Sequence, residues 1–402
     1  MWPTDPFSVF GLWQTVFILF VPILIDLPRV ICKSILLLGQ EVYIHLRKSK
    51  VQHERFPYVS VIVPAHNEEK VIEKSIQCLL ESDYPRKEVV VVDDGSTDKT
   101  HRIAGQYSRR GLIKLIRRES ASGKKARAVN LGLRLAKGDV ILIVDADTHV
   151  EVKSLSNIAK YFSNPAVGAV AGNVRVGNKT NLLTRLQAYE YMIAMEMGRR
   201  YQSILGLLLI IPGAFGAVRR ETLGTVGAYD VDTITEDFDL TLKIHKAHTK
   251  VVFASDAIAW TVAPETLKEL VKQRSRWDRG QMQTLRKHKN IFFRSRFGIA
   301  GLLGAPDMVF ADMILIFLRA GWTGYMLMTN PSWLGQILIL TFAFYLLLEL
   351  VQGAVVGIFS VRRRDLLYIL YSPILVLIYR PLLSFVRLRA YIEGLKSATG
   401  RW

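Results

Sequence analysis

Short apolar runs closed by acidic or turn residues punctuate the middle of the chain. Val59-Ser60-Val61-Ile62-Val63 ends at Pro64, Val89-Val90-Val91-Val92 leads into Asp93, and Val140-Ile141-Leu142-Ile143-Val144 leads into Asp145. Runs of this length, rich in β-branched residues, predict strands buried by packing. Between them apolar positions recur at helical spacing over 68–80, from about Lys99, and over 124–136, with a short strand at 112–116. Strands alternating with helices predict an α/β fold, a mostly parallel sheet with helices on both faces. Much longer apolar runs flank this segment. Residues 7–27 are nearly uncharged and long enough to cross a bilayer, and further apolar stretches occupy 308–328, 333–360 and 366–386. The pattern divides the chain into 1–50, a transmembrane and an interfacial helix; 51–290, a soluble α/β domain; and 291–402, interfacial and transmembrane helices.

Composition supports the membrane reading. Half of the 402 residues are hydrophobic and the formal net charge is +18. Such a charge first suggests nucleic acid, but the basic residues cluster beside the apolar runs, at Arg29, Lys33, Arg47, Lys48 and Lys50 and again at 362–364. Basic flanks mark the cytoplasmic side of a membrane and attract anionic lipid. The expected partners are therefore membrane lipid and an anionic substrate, with no nucleic acid, and the expected location is a multi-pass membrane protein with its soluble domain in the cytosol. The segment 7–27 lacks a basic start and a small-residue cleavage site, so a retained span is expected. Asn330-Pro331-Ser332 reads as an outer turn. Pro373 and Arg380-Pro381 are placed to break the last run into a re-entrant or interfacial pair. Asp312, Arg319 and Glu349 fall within apolar runs, which calls for mutual pairing or a polar groove. Cys32 and Cys78 have no metal-ligand spacing, and no disulfide is expected.

Candidate chemistry lies at the strand ends, where open α/β sheets bind ligands. Asp93-Asp94-Gly95 and Asp145-Ala146-Asp147 close two strands, and two aspartates one residue apart suit a hard divalent cation held against a diphosphate. No G-x-G-x-x-G turn follows the first strand, which argues against a dinucleotide enzyme. A receiver-domain reading of Asp93-Asp94 is weak because the acids end the second strand and an acidic pair recurs later. Each acidic group also has a plainer explanation, as a turn or helix cap.

Taken in order, Pro64-Ala65-His66-Asn67-Glu68, Asp93-Asp94-Gly95-Ser96-Thr97-Asp98, Lys125-Ala126-Arg127-Ala128-Val129-Asn130, Asp145-Ala146-Asp147, Thr235-Glu236-Asp237 and Gln273-Arg274-Ser275-Arg276-Trp277 resemble the family 2 glycosyltransferases of GT-A fold, the group that includes cellulose, chitin and hyaluronan synthases. Trp260 to Thr266 adds a further match, and the resemblance covers roughly 57–290. It implies a donor site of Pro64, Ala65, Asn67, Glu68, Asp93, Asp94, Lys125, Asp145, Gln273 and Arg276. It implies Mg²⁺ or Mn²⁺ on Asp147 and Asp145, and Asp237 as the catalytic base of an inverting displacement. Trp277, Gly213, Phe215 and Glu236 would face the acceptor. Two departures stand out: Ala247-His248-Thr249 lacks the glycine many relatives have there, and Val262 replaces a common acidic residue. The implied donor is GDP- or UDP-linked and the implied product a hexosylated lipid-linked glycan or glycolipid. A processive β-polysaccharide synthase is the alternative, favoured by the Gln273–Trp277 pattern but not by the small number of spans. A non-catalytic nucleotide-sugar-binding scaffold is the alternative of another class, and a transporter is weaker still because the spans show no paired halves.

Overall fold

The computed structural model describes residues 22–47, 57–329, 334–360 and 362–396. Most of the run 7–27 and the turn 330–332 lie outside these residues. A helix α1 (Leu27–Arg47) precedes the α/β domain. The domain then runs β1 (Val59–Ala65), α2 (Ile72–Leu80), β2 (Lys87–Asp93), α3 (Thr100–Arg109), β3 (Lys114–Arg117), α4 (Lys125–Leu135), β4 (Val140–Val144), β5 (His149–Val150) and α5 (Ser154–Ala159). Next come β6 (Val167–Val176), the long helix α6 (182–204), β7 (Phe215–Arg219), α7 (Arg220–Val226), α8 (Glu236–Lys246), β8 (Lys250–Thr261) and α9 (Leu267–Lys287).

The strands form one eight-stranded sheet in the order β3-β2-β1-β4-β7-β6-β8-β5. Strands β1 to β4 are mutually parallel where they pair, and β7 runs antiparallel between β4 and β6. Val61, Ile62, Val63, Val90 to Val92 and Val140 to Val144 are almost fully buried, because helices cover both faces of this half of the sheet. Register places the chemistry. Ala65 lies opposite Asp93, so two strand ends finish level. Phe215 lies opposite Val144, so the turn Pro212-Gly213-Ala214 entering β7 meets Asp145 leaving β4. The Asp145 amide donates to the Ala214 carbonyl at 3.3 Å.

Among the described residues, three helices beyond the domain are long and apolar enough to cross a membrane: Ala300–Tyr325, Gly335–Phe359 and Asp365–Gly394. They belong to α10 (300–329), α11 (Leu334–Phe359) and α12 (363–396). The last is one continuous helical run, without a break at Pro373 or Pro381. Pro373 sits in the first turn of an α-helical segment, where its missing N–H is harmless. A π-turn over Leu375–Tyr379 widens the helix just before Pro381, relieving the clash of its ring with the preceding turn. The charged residues inside these helices are paired. Glu349, fully buried, meets Arg380 at 2.5 Å; Arg319 meets Asp26 at 2.6 Å; Asp312 meets Arg387 at 3.4 Å.

Candidate active site

Gly95 makes the turn after β2 with φ +68°, and a Cβ there would lie 2.4 Å from the Ala121 amide nitrogen. The closely approaching loop 118–122 is pinned by Asp94, which accepts from the Ser122 hydroxyl at 2.6 Å and pairs with Arg118 at 2.9 Å. Asp93 is fully buried. One oxygen accepts from the Ser96 amide at 2.9 Å, and the other faces His101 at 3.1 Å and Arg117 at 3.4 Å. Oδ2 has these charged neighbours but no hydrogen-bond partner among the described residues, so Asp93 both shapes the turn and keeps a buried acceptor oxygen at the strand end. Asn67, at φ +57°, accepts from the Thr97 amide at 2.9 Å and its own amide donates to Ser96 Oγ at 3.0 Å. These bonds knit the loop after β1 to the loop after β2. Pro64 and Ala65 end β1; the Ala65 side chain is buried and its carbonyl accepts from the Asp94 amide at 2.8 Å.

Across the sheet edge Glu68, Asp145 and Asp147 lie within electrostatic reach of one another. Burial, then the charges of Asp147 and Asp145, push Glu68 up to about 7. Burial and Asp145 push Asp147 up to about 6, although Thr148 and Thr261 hydroxyls donate to it at 3.2 and 3.4 Å. Among the described residues no group of three or more His, Cys, Asp or Glu side chains could hold a metal by itself. Asp145 is ion-paired with Lys125, whose Nζ also donates to the Gly213 carbonyl at 2.9 Å. The Gly213 amide in turn donates to Asp237 Oδ2 at 3.0 Å. A Cβ on Gly213 would come within 3.0 Å of Lys125 Nζ and 3.3 Å of Asp237 Oδ2, so only glycine fits this bridge unaltered. Burial opposes the charge on Lys125, yet Asp145, Glu236 and Asp237 outweigh it and hold the ammonium above its usual range. Glu236 is pushed up, chiefly by burial, with Asp237 adding and Lys125 opposing. Asp237 opens α8 and accepts from the Phe238 amide at 2.8 Å. Asp239, fully buried on the same helix, holds His288 at 2.9 Å and so ties α8 to the end of α9.

One expected acceptor residue does not belong to the site. Phe215 is fully buried in β7, and its ring fills the space beside Gly172 of β6, where a Cβ would lie 2.0 Å away. It is a core residue. Of the other expected acceptor residues, Gly213 enters β7, Glu236 opens α8 and Trp277 lies on α9, which also carries the expected donor residues Gln273 and Arg276. Gln273 is part-buried, with Oε1 lacking a hydrogen-bond partner among the described residues, and Arg276 is exposed. Trp277 lies under the guanidinium of Arg274, 4.7 Å from it. Sequence reasoning missed Arg274, although it sits inside the segment singled out, because its partner Glu190 is 84 residues away. It also missed Arg199 on α6, where burial brings the guanidinium down to about 10 despite nearby Asp237 and Asp312.

Residues 60–227 match the family model described as Glycosyl transferase family 2. The chain belongs to the family 2 glycosyl transferases. It is 30% identical over 271 residues to the poly-β-1,6-N-acetyl-D-glucosamine synthase of Staphylococcus epidermidis, covering 67% of this chain and 66% of that protein. The corresponding synthase of Staphylococcus aureus strain COL is 28% identical over the same shares. The chain thus spans 66% of the length of these curated relatives. Among solved structures, the mannosyltransferase PcManGT from Pyrobaculum calidifontis, in complex with GDP-Man and Mn²⁺, superposes with a TM-score of 0.57 at 21% identity. The match covers 92% of this chain and 98% of that one, and it establishes a shared GT-A fold.

Proposed function

We propose that this family 2 glycosyl transferase moves a hexosyl group from a GDP- or UDP-linked donor to a lipid-linked glycan or glycolipid at the cytosolic leaflet, with inversion. The observation that carries this reading is the continuous path Asp145, Lys125, Gly213, Asp237. It joins a diphosphate-type site to a carboxylate 3.0 Å from the Gly213 amide. In this reading the acceptor hydroxyl gives its proton to Asp237 as its oxygen bonds to the anomeric carbon, while the bond to the nucleoside diphosphate breaks. Lys125, Gln273 and Arg276 supply cationic and amide donors to the diphosphate, with Asn67, Asp94 and the backbone at Pro64 and Ala65 shaping the nucleotide end. Glu236, Gly213 and Trp277 face the acceptor.

Asp147 and Asp145 fit Mg²⁺ or Mn²⁺. Their donor set is all oxygen, and a cation would offset both the burial and the repulsion that raise Asp147 and Glu68. With two protein carboxylates as the holding residues, a bound ion would take its other ligands from solvent and substrate, as Mg²⁺ commonly does. Once bound, the ion offsets the negative charge on the leaving diphosphate.

The acceptor reading draws support from α9, which carries Gln273–Trp277 and packs along α12, one of the membrane-length helices. A processive synthase is the second reading, favoured by the polysaccharide synthases among the relatives. The test is a donor screen on membranes containing the full-length chain, scored for released GDP or UDP and for labelled product. One or a few sugars on extractable lipid is the expected result. Long polymer from purified protein and donor alone selects the second reading. No turnover with any donor, alongside intact nucleotide-sugar binding, points to the non-catalytic scaffold.

A further inference from the structure

Arg274 is the charged member of the Gln273–Trp277 segment to which neither spacing nor family resemblance assigns a task. Its guanidinium is held at two points by Glu190 of α6, Nη1 to Oε1 at 3.0 Å and Nη2 to Oε2 at 2.8 Å. Such a fork leaves the guanidinium plane no freedom to rotate. One face of that plane lies 4.7 Å from the Trp277 ring and the group is 5.9 Å from the Tyr191 ring. Oε2 of Glu190 is shared: it also accepts from the hydroxyl of Tyr379 at 2.7 Å. Tyr379 is almost fully buried and sits at the end of the π-turn in α12, just before Pro381. Burial opposes the charge on Arg274, but Glu190 outweighs it, so the pair stays ionic.

A domain-to-membrane weld would need only the ion pair. Here the guanidinium also lies against two aromatic rings and its partner is oriented from a membrane-length helix, and one ring is the proposed acceptor contact. We propose that Glu190, Arg274 and Tyr379 form a positioning clamp that fixes the Trp277 ring as the acceptor platform, so that α12 determines where the acceptor sugar rests. The clamp deepens the acceptor reading given above and rests on it.

The test uses full-length protein in membranes, with the donor selected by the screen and the native lipid as acceptor. It measures the ratio of sugar transferred to lipid to sugar released by hydrolysis. Glu190→Gln and Tyr379→Phe are expected to lower that ratio about tenfold or more, since small misplacements of a substrate-positioning group carry such losses. A purely structural defect lowers transfer and hydrolysis together and leaves the ratio where it was, which would overturn the clamp. The double variant Glu190→Gln/Trp277→Ala should be no worse than Trp277→Ala alone; multiplied effects would also overturn it. If Trp277→Ala keeps a normal ratio, the acceptor reading fails and takes the clamp with it, a different result from multiplied effects. A readout independent of turnover is the fluorine spectrum of 5-fluorotryptophan-labelled protein, with Trp277 assigned through Trp277→Phe. Glu190→Gln should move or broaden that one resonance, and an unchanged line rejects the proposal.

Discussion

Asp237 and the carboxylates across from it differ in what one atom of each does. In Asp237→Asn the side chain keeps its size and can still accept from the Gly213 amide, but it no longer takes a proton. Transfer is expected to fall by about 10²–10⁴-fold, while cation-dependent nucleotide binding persists, as titration calorimetry with GDP or UDP would show. Equal turnover would remove the base assignment. Glu68 and Asp147 bear on pH. Their folded values, about 7 and about 6, exceed the ordinary 4.5 and 3.8, so the folded chain binds protons more tightly than the unfolded one. Their contribution to stability is therefore fully present below the ordinary carboxylate range and is lost as pH rises through about 6 and then about 7. A cation needs the deprotonated groups, so the gain in Tm on adding Mn²⁺ should grow over that same window and vanish in Asp147→Asn. A gain independent of pH, or one that survives in Asp147→Asn, would place the cation elsewhere.

At the scale of elements, the parallel half of the domain is legible from residue order. Val89–Val92 and Val140–Val144 are buried on both faces, so composition alone marks them as strands, and the acids that follow fall at their carboxyl ends. The antiparallel strand β7 is not legible in this way, because its pairing with β4 and β6 is tertiary. Phe215 shows the consequence: a residue beside a glycine-rich turn looked like a ligand contact and proves to be sheet core. The missing glycine at 247–249 has a physical outcome too. His248 follows α8 at φ +58°, in the left-handed region, and its ring stacks on Phe297 with centroids 6.4 Å apart. A non-glycine residue pays steric strain there. His248→Gly is expected to raise stability by about 0.5–1 kcal/mol, the relief of strain less the lost stacking, as a rise in Tm with unchanged activity. A fall in Tm would show that the stack outweighs the strain.

For the molecule as a whole, the question is how the catalytic domain is fastened to the helices of membrane length. Charge placement within apolar runs announced that Asp312 and Glu349 need partners, but not which ones, because the partners are far off in sequence. Arg387 of α12 answers for Asp312. It also pairs with Asp278 of α9 at 3.1 Å, so a single guanidinium joins α9, α10 and α12. Gln281 of α9 reinforces the junction by donating to Asp312 at 3.0 Å while accepting from the Tyr391 hydroxyl at 2.9 Å. Burial and the charge of Asp312 push Asp278 up, with Arg387 opposing them, so removal of the guanidinium takes away the cation that both carboxylates share. Breaking a fully buried pair costs more, but Arg387 is 39% exposed, and the expected loss for Arg387→Ala is about 1–2 kcal/mol. It should appear as a lower Tm in detergent and faster proteolysis between α9 and α10. Because the defect is repulsion between carboxylates, Arg387→Ala/Asp312→Asn should recover part of that loss, although it removes yet another native contact. If the double variant melts below Arg387→Ala, the junction is held by packing of α9 on α12, and the charges contribute little to fastening the domain.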